Sequence, residues 1–317
     1  MTEYCSAFNP DSSETVAYNN PLFPAYARYG ILSSYPDYSA ISHWHRDLEF
    51  ILIKKGCMTY NVNGELIELS EPSGIMVNSR QLHYGFSAQH NECEFICILL
   101  SPELLEGNTW FYQNYIERIT ENPSYPYLYL TPDGWQGRIL TALEELYRSF
   151  DLFSQPMSVP EDSDSLYRTS NSDSIKPQSY FEVIKHFVDI MEVLSENLNL
   201  ENPGRTEKSS DLISLRKMMT CIEEHYMEKM TLEDIAQSGT CCKSRCSLLF
   251  KKYLNDTPVI YTTKLRLRKS LTELLTSDKS MTEIACEYGF CTASYYCETF
   301  KKYYGMSPLA YRKAAGI

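Results

Sequence analysis

Two stretches near the end of the chain repeat each other: "TLEDIAQSGTCCKSRCSLLFKKYLNDTPVIY" over 231–261 and "SMTEIACEYGFCTASYYCETFKKYYGMSPLAY" over 280–311. Ile235-Ala236 answers to Ile284-Ala285 at an offset of 49, and Phe250-Lys251-Lys252-Tyr253 to Phe300-Lys301-Lys302-Tyr303 at 50. Thr257-Pro258 and Tyr261 answer to Ser307-Pro308 and Tyr311, again at 50, so one residue is inserted at the turn of the second copy. Each copy reads as a short helix carrying Ile-Ala, a turn at Gly239 or Gly289, and a second helix. In that second helix Cys246, Leu249, Phe250 and Tyr253 fall at i, i+3, i+4, i+7, matched by Tyr296, Thr299, Phe300 and Tyr303, an inward stripe. Two helices joined by a tight turn make a helix-turn-helix, whose second helix can enter a DNA major groove.

At these residues, over roughly 211–317, the chain resembles the AraC family of bacterial transcription regulators; "EIACEYGF…YYCETFKKYYGMSPLAYRK" carries the likeness. The resemblance implies two helix-turn-helix units joined by one long helix, here "PVIYTTKLRLRKSLTELLTSD", presenting recognition helices to successive major grooves of a double-stranded DNA operator. Grooves one turn apart are separated by about 34 Å. On the joining helix Lys264, Arg266, Arg268 and Lys269 suit phosphates, which supply affinity without base information. Removing the inward stripe leaves Lys243, Ser244, Arg245, Ser247 and Leu248 for the first recognition helix, and Ala293, Ser294, Tyr295, Cys297 and Glu298 for the second, with Lys301 on phosphate. Leu248 and Glu298 stand where the family often has arginine, and Cys241-Cys242 and Cys291 where it has a capping residue. Leu248 can meet a thymine methyl and Glu298 can accept from cytosine N4.

Charge divides the chain at the same place. Residues 211–317 hold 16 of the 29 Lys+Arg and 12 of the 41 Asp+Glu, so the basic end is joined to a strongly acidic body. That balance suits a polyanion at the C-terminal end alone. A hydrophobic content of 43% excludes general disorder, and 317 residues suffice for two or more cores. No apolar run approaches the ~18–20 residues of a membrane span, and the N-terminus has no signal-peptide pattern. Eleven cysteines then read as reduced thiols of a cytoplasmic protein.

Two polar stretches mark joints: a Ser/Asp/Pro-rich loop over 154–177, and a second stretch with Pro203-Gly204 that suits a linker over 201–211. Between them Phe181, Ile184, Phe187, Val188, Met191 and Leu194 recur at helical spacing, as do Ile139, Leu143, Leu146, Tyr147 and Phe150 before the first. Two such helices can pair on their own domain or on a partner subunit; a homodimer through residues 1–200 is expected, because regulators of the resembled type pair through such helices.

Upstream, "LEFILIKK" and "MTYNVNGELIEL" alternate with period 2 around an Asn63-Gly64 turn signal, predicting a hairpin, and "GIMVN" and "CEFICILL" add short strands. Strands at this spacing suggest a small barrel or sandwich. The run His43-x-His45-x3-Glu49-x6-Gly56 resembles the first cupin motif, and "GIMVNSRQLHYGF" places His83 near the histidine of the second, though its proline and glycine pattern is incomplete. The expected organisation is therefore multidomain: an all-β cupin-like barrel (1–130), amphipathic helices (131–200), the linker, and an all-α domain with two helix-turn-helix units (212–317).

His43, His45 and Glu49 share parity and would face one way on a strand. With Tyr60 and His83 they are read as lining a pocket for a small-molecule effector, a sugar or related metabolite, because the resembled family uses this domain to sense ligands. Three histidines and a carboxylate also form a ligand set for iron, manganese, nickel or zinc, so a divalent metal at His43, His45, Glu49 and His83 is the alternative to a cofactor-free site. A cupin metalloenzyme fused to a helix-turn-helix unit is a second alternative to a non-enzymatic regulator. A thiol redox sensor is a third, if Lys243 and Arg245 depress the thiols of Cys241 and Cys242; Cys246 belongs to the inward stripe. There is no C-x2-C pair for a zinc finger. The aromatic run over 110–130 can stack on a sugar but fits packing better. RNA polymerase would be a further partner of an activator.

Overall fold

The computed structural model describes residues 7–9, 13–150, 177–200 and 210–315. Most of the expected 154–177 loop and 201–211 linker lies outside them. Contacts divide the chain into two compact units, one holding the described residues 14–150 and 177–200, the other 210–315.

The first unit is built on a seven-stranded antiparallel sheet. Its strands are β1 (Ala25–Ile31), β2 (Leu48–Val62), β3 (Glu65–Ser70), β4 (Gly74–Val77), β5 (His83–Phe86), β6 (Cys93–Leu100) and β7 (Tyr127–Leu130). The order is β1-β6-β2-β4-β7, with β3 and β5 pairing to the far end of β2. The expected hairpin forms around Asn63 and Gly64, both at positive φ as a two-residue turn needs. Its first arm, however, is one strand of 15 residues that runs through Gly56, where two separate segments were expected. The register slips between Ile53 and Lys55, and Gly56 has φ +79, a bulge that bends the strand. A side chain there would place its Cβ 2.2 Å from the Glu92 carbonyl oxygen, so only glycine passes.

The bend determines where the core lies. Along the near half of β2, Leu48, Phe50 and Leu52 pack with Met76, Ile96 and Ile98 under the helices, whereas Ile51 and Ile53 pack with Met58, Tyr60, Leu69 and Phe95 in a second core. A straight strand would separate Glu49 from Tyr60 by about 36 Å at ~3.3 Å per residue. Instead the Tyr60 hydroxyl donates to Glu49, so the strand folds over and both halves face one interior.

Two helices cover the outer face, α1 (Gly134–Ser149) and α2 (Pro177–Asn197). Ile139, Leu143 and Leu146 of α1 and Phe187, Ile190, Met191 and Leu194 of α2 are buried against the sheet. The α2 stripe is rotated from the expected one: Val183 and Ile190 are inside, while Phe181 and Val188 face outward. The helical pair is therefore absorbed by its own domain. The aromatic run becomes a short helical stretch over 109–120 followed by β7.

The second unit is all helical: α3 (Ser210–His225), α4 (Leu232–Ser238), α5 (Lys243–Leu254), α6 (Pro258–Thr276), α7 (Met281–Glu287), α8 (Ala293–Tyr304) and α9 (Pro308–Ala314). Helix α7 repeats α4 at an offset of 49 and α8 repeats α5 at 50, as the sequence repeat requires. Reciprocal capping boxes start both short helices, Thr231 with Asp234 and Ser280 with Glu283. The turns differ: Gly289 carries φ +76, but in the first copy Thr240 takes the left-handed position, and Gly239 is required because a Cβ would meet Met218 at 2.6 Å. The expected inward stripe is buried in α5; in α8, Tyr296 and Phe300 are buried, but Tyr304 replaces Tyr303 as the innermost residue of the last turn.

Candidate functional site

The recognition helices present an unequal pair of surfaces. On α5, Lys243, Ser244, Arg245 and Leu248 are exposed, Leu248 at 55%, and Ser247 is half-buried. Lys243 sits 2.6 Å from Glu233 and Arg245 is paired with Asp211, so both cations already hold an internal carboxylate. On α8, Ser294, Tyr295, Glu298 and Lys301 are exposed, whereas Ala293 and Cys297 pack partly against the core and are poorly placed to read bases. The helix start also departs from expectation: Thr292, not Cys291, caps α8 by accepting from the Tyr295 amide, and Cys242 occupies the α5 cap without a side-chain bond.

The joining helix corrects the expectation for its cations. Lys264 pairs with Asp256 at 2.9 Å and Lys269 with Glu223 at 2.5 Å. Arg266 donates to the carbonyls of Tyr226 and Glu228, tying down the end of α3, and Arg312 on α9 does the same to Leu274 in the last turn of α6 and to Lys279 just beyond it. These residues hold the helices together; Arg268 is half-buried on the same helix.

In the first unit His43, His45, Glu49 and His83 do converge, with one ligand-type atom from each lying within 4.8 Å of the others. The route differs from the same-strand parity argument. His43 and His45 precede β2, and His43 is instead bridged to His83 on β5 by reciprocal backbone bonds of 2.8 and 3.1 Å. Glu49 is inward near the start of β2, and Tyr60 comes back to it from the far end. His45 Nε2 and His83 Nε2 lie 3.2 and 3.3 Å from Glu49 Oε2. His43 Nε2 lies 3.1 Å from Glu14 Oε2, a buried carboxylate that sequence reasoning missed because it stands in a polar stretch with no fixed spacing to the histidines. Asp47, accepting from the Tyr18 hydroxyl at 2.8 Å, was also missed.

The electrostatics follow from this packing. Burial disfavours charge on His43, but Glu14 and then Glu49 outweigh it and bring its pKa up to about 9. Burial pushes His83 down, against the pull of Glu49. Burial likewise opposes ionisation of Glu49, yet His83 and His45 hold it well below the usual carboxylate range. The Tyr60 hydroxyl is held protonated by burial and by Glu49, so it serves as a donor. This is a polar nest of fixed donors and acceptors inside an apolar shell, the arrangement that binds small polar molecules.

Residues 26–155 match the AraC-like ligand binding domain, and residues 240–314 match a helix-turn-helix domain. The HTH-type transcriptional regulator YdeC of Bacillus subtilis is 30% identical over 275 residues, 86% of this chain and 85% of its own. The chain belongs to the AraC family. It is a DNA-binding transcriptional regulator with an effector-binding domain. Over shorter spans it is similar to the raffinose operon transcriptional regulatory protein RafR of Pediococcus pentosaceus, 33% identical over 35% of this chain and 39% of that one. It is also similar to the melibiose operon regulatory protein of Escherichia coli strain K12, 30% identical over 37% and 40%.

In this AraC-type regulator two of the clustered thiols are held protonated: burial raises the pKa of Cys241, against the pull of Arg245, and that of the fully buried Cys246 to about 11. Redox-sensing cysteines need the opposite shift. No helix among the described residues is long and apolar enough to cross a membrane.

Proposed function

We propose that this regulator senses a small polar metabolite, a sugar or related compound, in the nest formed by His43, His45, Glu49, Tyr60 and His83, and reads its operator with the exposed residues of α5 and α8. The observation that carries this is the convergence of His45, His83 and Glu49, all buried, with the partly buried His43, in the interior that the bend of β2 creates. The sugar class is supported by the relatives named for raffinose and melibiose operons. The effector domain is taken as 1–130, the helical segment as 131–200 and the DNA-binding domain as 212–317. The protein acts in the cytoplasm, without enzymatic turnover, as a homodimer; the outward Phe181 (77% exposed) and Val188 of α2 supply an apolar contact. RNA polymerase is a partner if the effect is activation.

Two experiments test the reading. In the full chain, Glu298→Ala is expected to change base preference at one operator position by about 1–3 kcal/mol, whereas Lys301→Ala weakens all sequences alike and lowers the salt slope by about 1. Binding-site selection that returns the wild-type consensus for Glu298→Ala removes Glu298 from base reading. Separately, a promoter–reporter assay with a panel of sugars should show His45→Ala unresponsive, while operator affinity without effector stays within about twofold of wild type. A normal response from folded His45→Ala would reduce the nest to a structural network.

A further inference from the structure

The second recognition helix is held from a side the sequence does not announce. The turn that leads into it, Tyr288-Gly289-Phe290, lies against the chain just after α3. A Cβ on Gly289 would stand 2.6 Å from the Met227 carbonyl oxygen and 3.0 Å from the Met227 Cα, so two backbones meet there. Met227 itself is 49% exposed, which leaves its side chain out of the contact. From α6, Arg266 donates Nε to the Tyr226 carbonyl at 2.6 Å and Nη2 to the Glu228 carbonyl at 2.9 Å, on either side of Met227. The Glu228 amide bonds back to the His225 carbonyl at 2.9 Å, so this seat is firm. Burial disfavours the Arg266 charge while Cys291 and Tyr295 favour it, which sets the same guanidinium beside the start of α8.

Helix α6 by itself does not fix where α8 points. It reaches the second helix-turn-helix through residues 277–280, and a few loop residues can absorb a large change of backbone angle. We propose that the seating of Gly289 on Met227, clamped by Arg266, sets the separation and phase of the two recognition helices. Gly289 and Arg266 are then positioning residues that choose the half-site spacing of the operator, although neither reads a base. Moving one half-site by a single base pair shifts it by about 3.4 Å and turns it by about 35° around the duplex. Hydrogen bonds to base edges do not survive such a shift unless the helix follows. The inference rests on the reading in which α5 and α8 both contact the operator.

The operator is first obtained by binding-site selection with the full chain. Two further operators carry the α8 half-site one base pair nearer to or farther from the α5 half-site, and all three are titrated at one salt concentration. Wild type is expected to lose at least about 10-fold at either displaced spacing, within the cost of one or two base contacts. Arg266→Met keeps the stem and removes both donors. Gly289→Asn tolerates the left-handed backbone but adds the clashing Cβ. In both, the penalty for displacement should fall below about 5-fold, less than one base contact is worth. Arg266→Lys, the mildest change, should lie between and serves where the others do not fold. A merely structural role would weaken all three operators alike and leave their ratio as in wild type. That unchanged ratio in the folded variants would show that α6 alone sets the spacing, and it overturns the proposal. So does wild type that binds all three operators equally with both half-sites protected in a footprint, which leaves the two-helix reading intact. Protection of a single half-site removes that reading and the inference together.

Discussion

Phe187→Asp is expected to abolish the folded first unit, not to yield folded monomers. Phe187 is fully buried between α2 and the sheet, beside Leu143, Leu146 and Met191. Removing such a ring costs about 3–5 kcal/mol, and an unpaired carboxylate in its place adds several more. Together these approach the 5–15 kcal/mol that holds a typical domain. The same charge at Phe181, which is exposed, should cost no more than about 0.5 kcal/mol in folding while splitting the proposed dimer. Circular dichroism melts and sedimentation velocity on both variants separate the cases. A Phe187→Asp protein that melts like wild type would disprove the packing, and wild type that sediments as a monomer at micromolar concentration would disprove the dimer.

Gly56→Ala comes next in size. The backbone conformation alone disfavours a side chain by about 1–2 kcal/mol, and the new Cβ meets a backbone oxygen that no rotamer change can move. We expect a loss of about 3 kcal/mol or more in urea unfolding of the first unit, with the nest opened because Glu49 and Tyr60 lie on opposite sides of the bend. Unchanged stability would mean that β2 can turn without its bulge.

What could be read in advance depended on whether the signal was local. The two helix-turn-helix units were legible because each carries its own stripe and cap and the chain states them twice. The helical stripes were legible as stripes, but not as to which element they cover, since Phe187 looks the same against a sheet or a partner. The continuity of β2 was hidden by Lys54-Lys55-Gly56, which breaks the alternation where the strand bends. Strand β1, "AYARYGI", was not singled out, and β7 was lost in an aromatic run. For the site, the three histidines and Glu49 singled out from the sequence do come together, although His43 and His45 reach the cluster from outside the strand. Glu14 and Glu223, the carboxylate partner of Lys269, depend on folding distant segments together, and no spacing rule reports that.

The internal partners of Lys243 and Arg245 change what operator binding costs. Under the proposed reading each must exchange Glu233 or Asp211 for the DNA group it meets, so association would be an exchange of anions around a cation that already holds one. The freed carboxylates stay near the DNA and repel it, and fewer condensed counterions are displaced per contact than the ~0.9 per phosphate of an unpaired cation. On that reading the formal surplus of positive charge in the C-terminal unit would overstate its nonspecific hold on DNA, and discrimination would rest on base-edge contacts that repay the exchange only at the correct sequence.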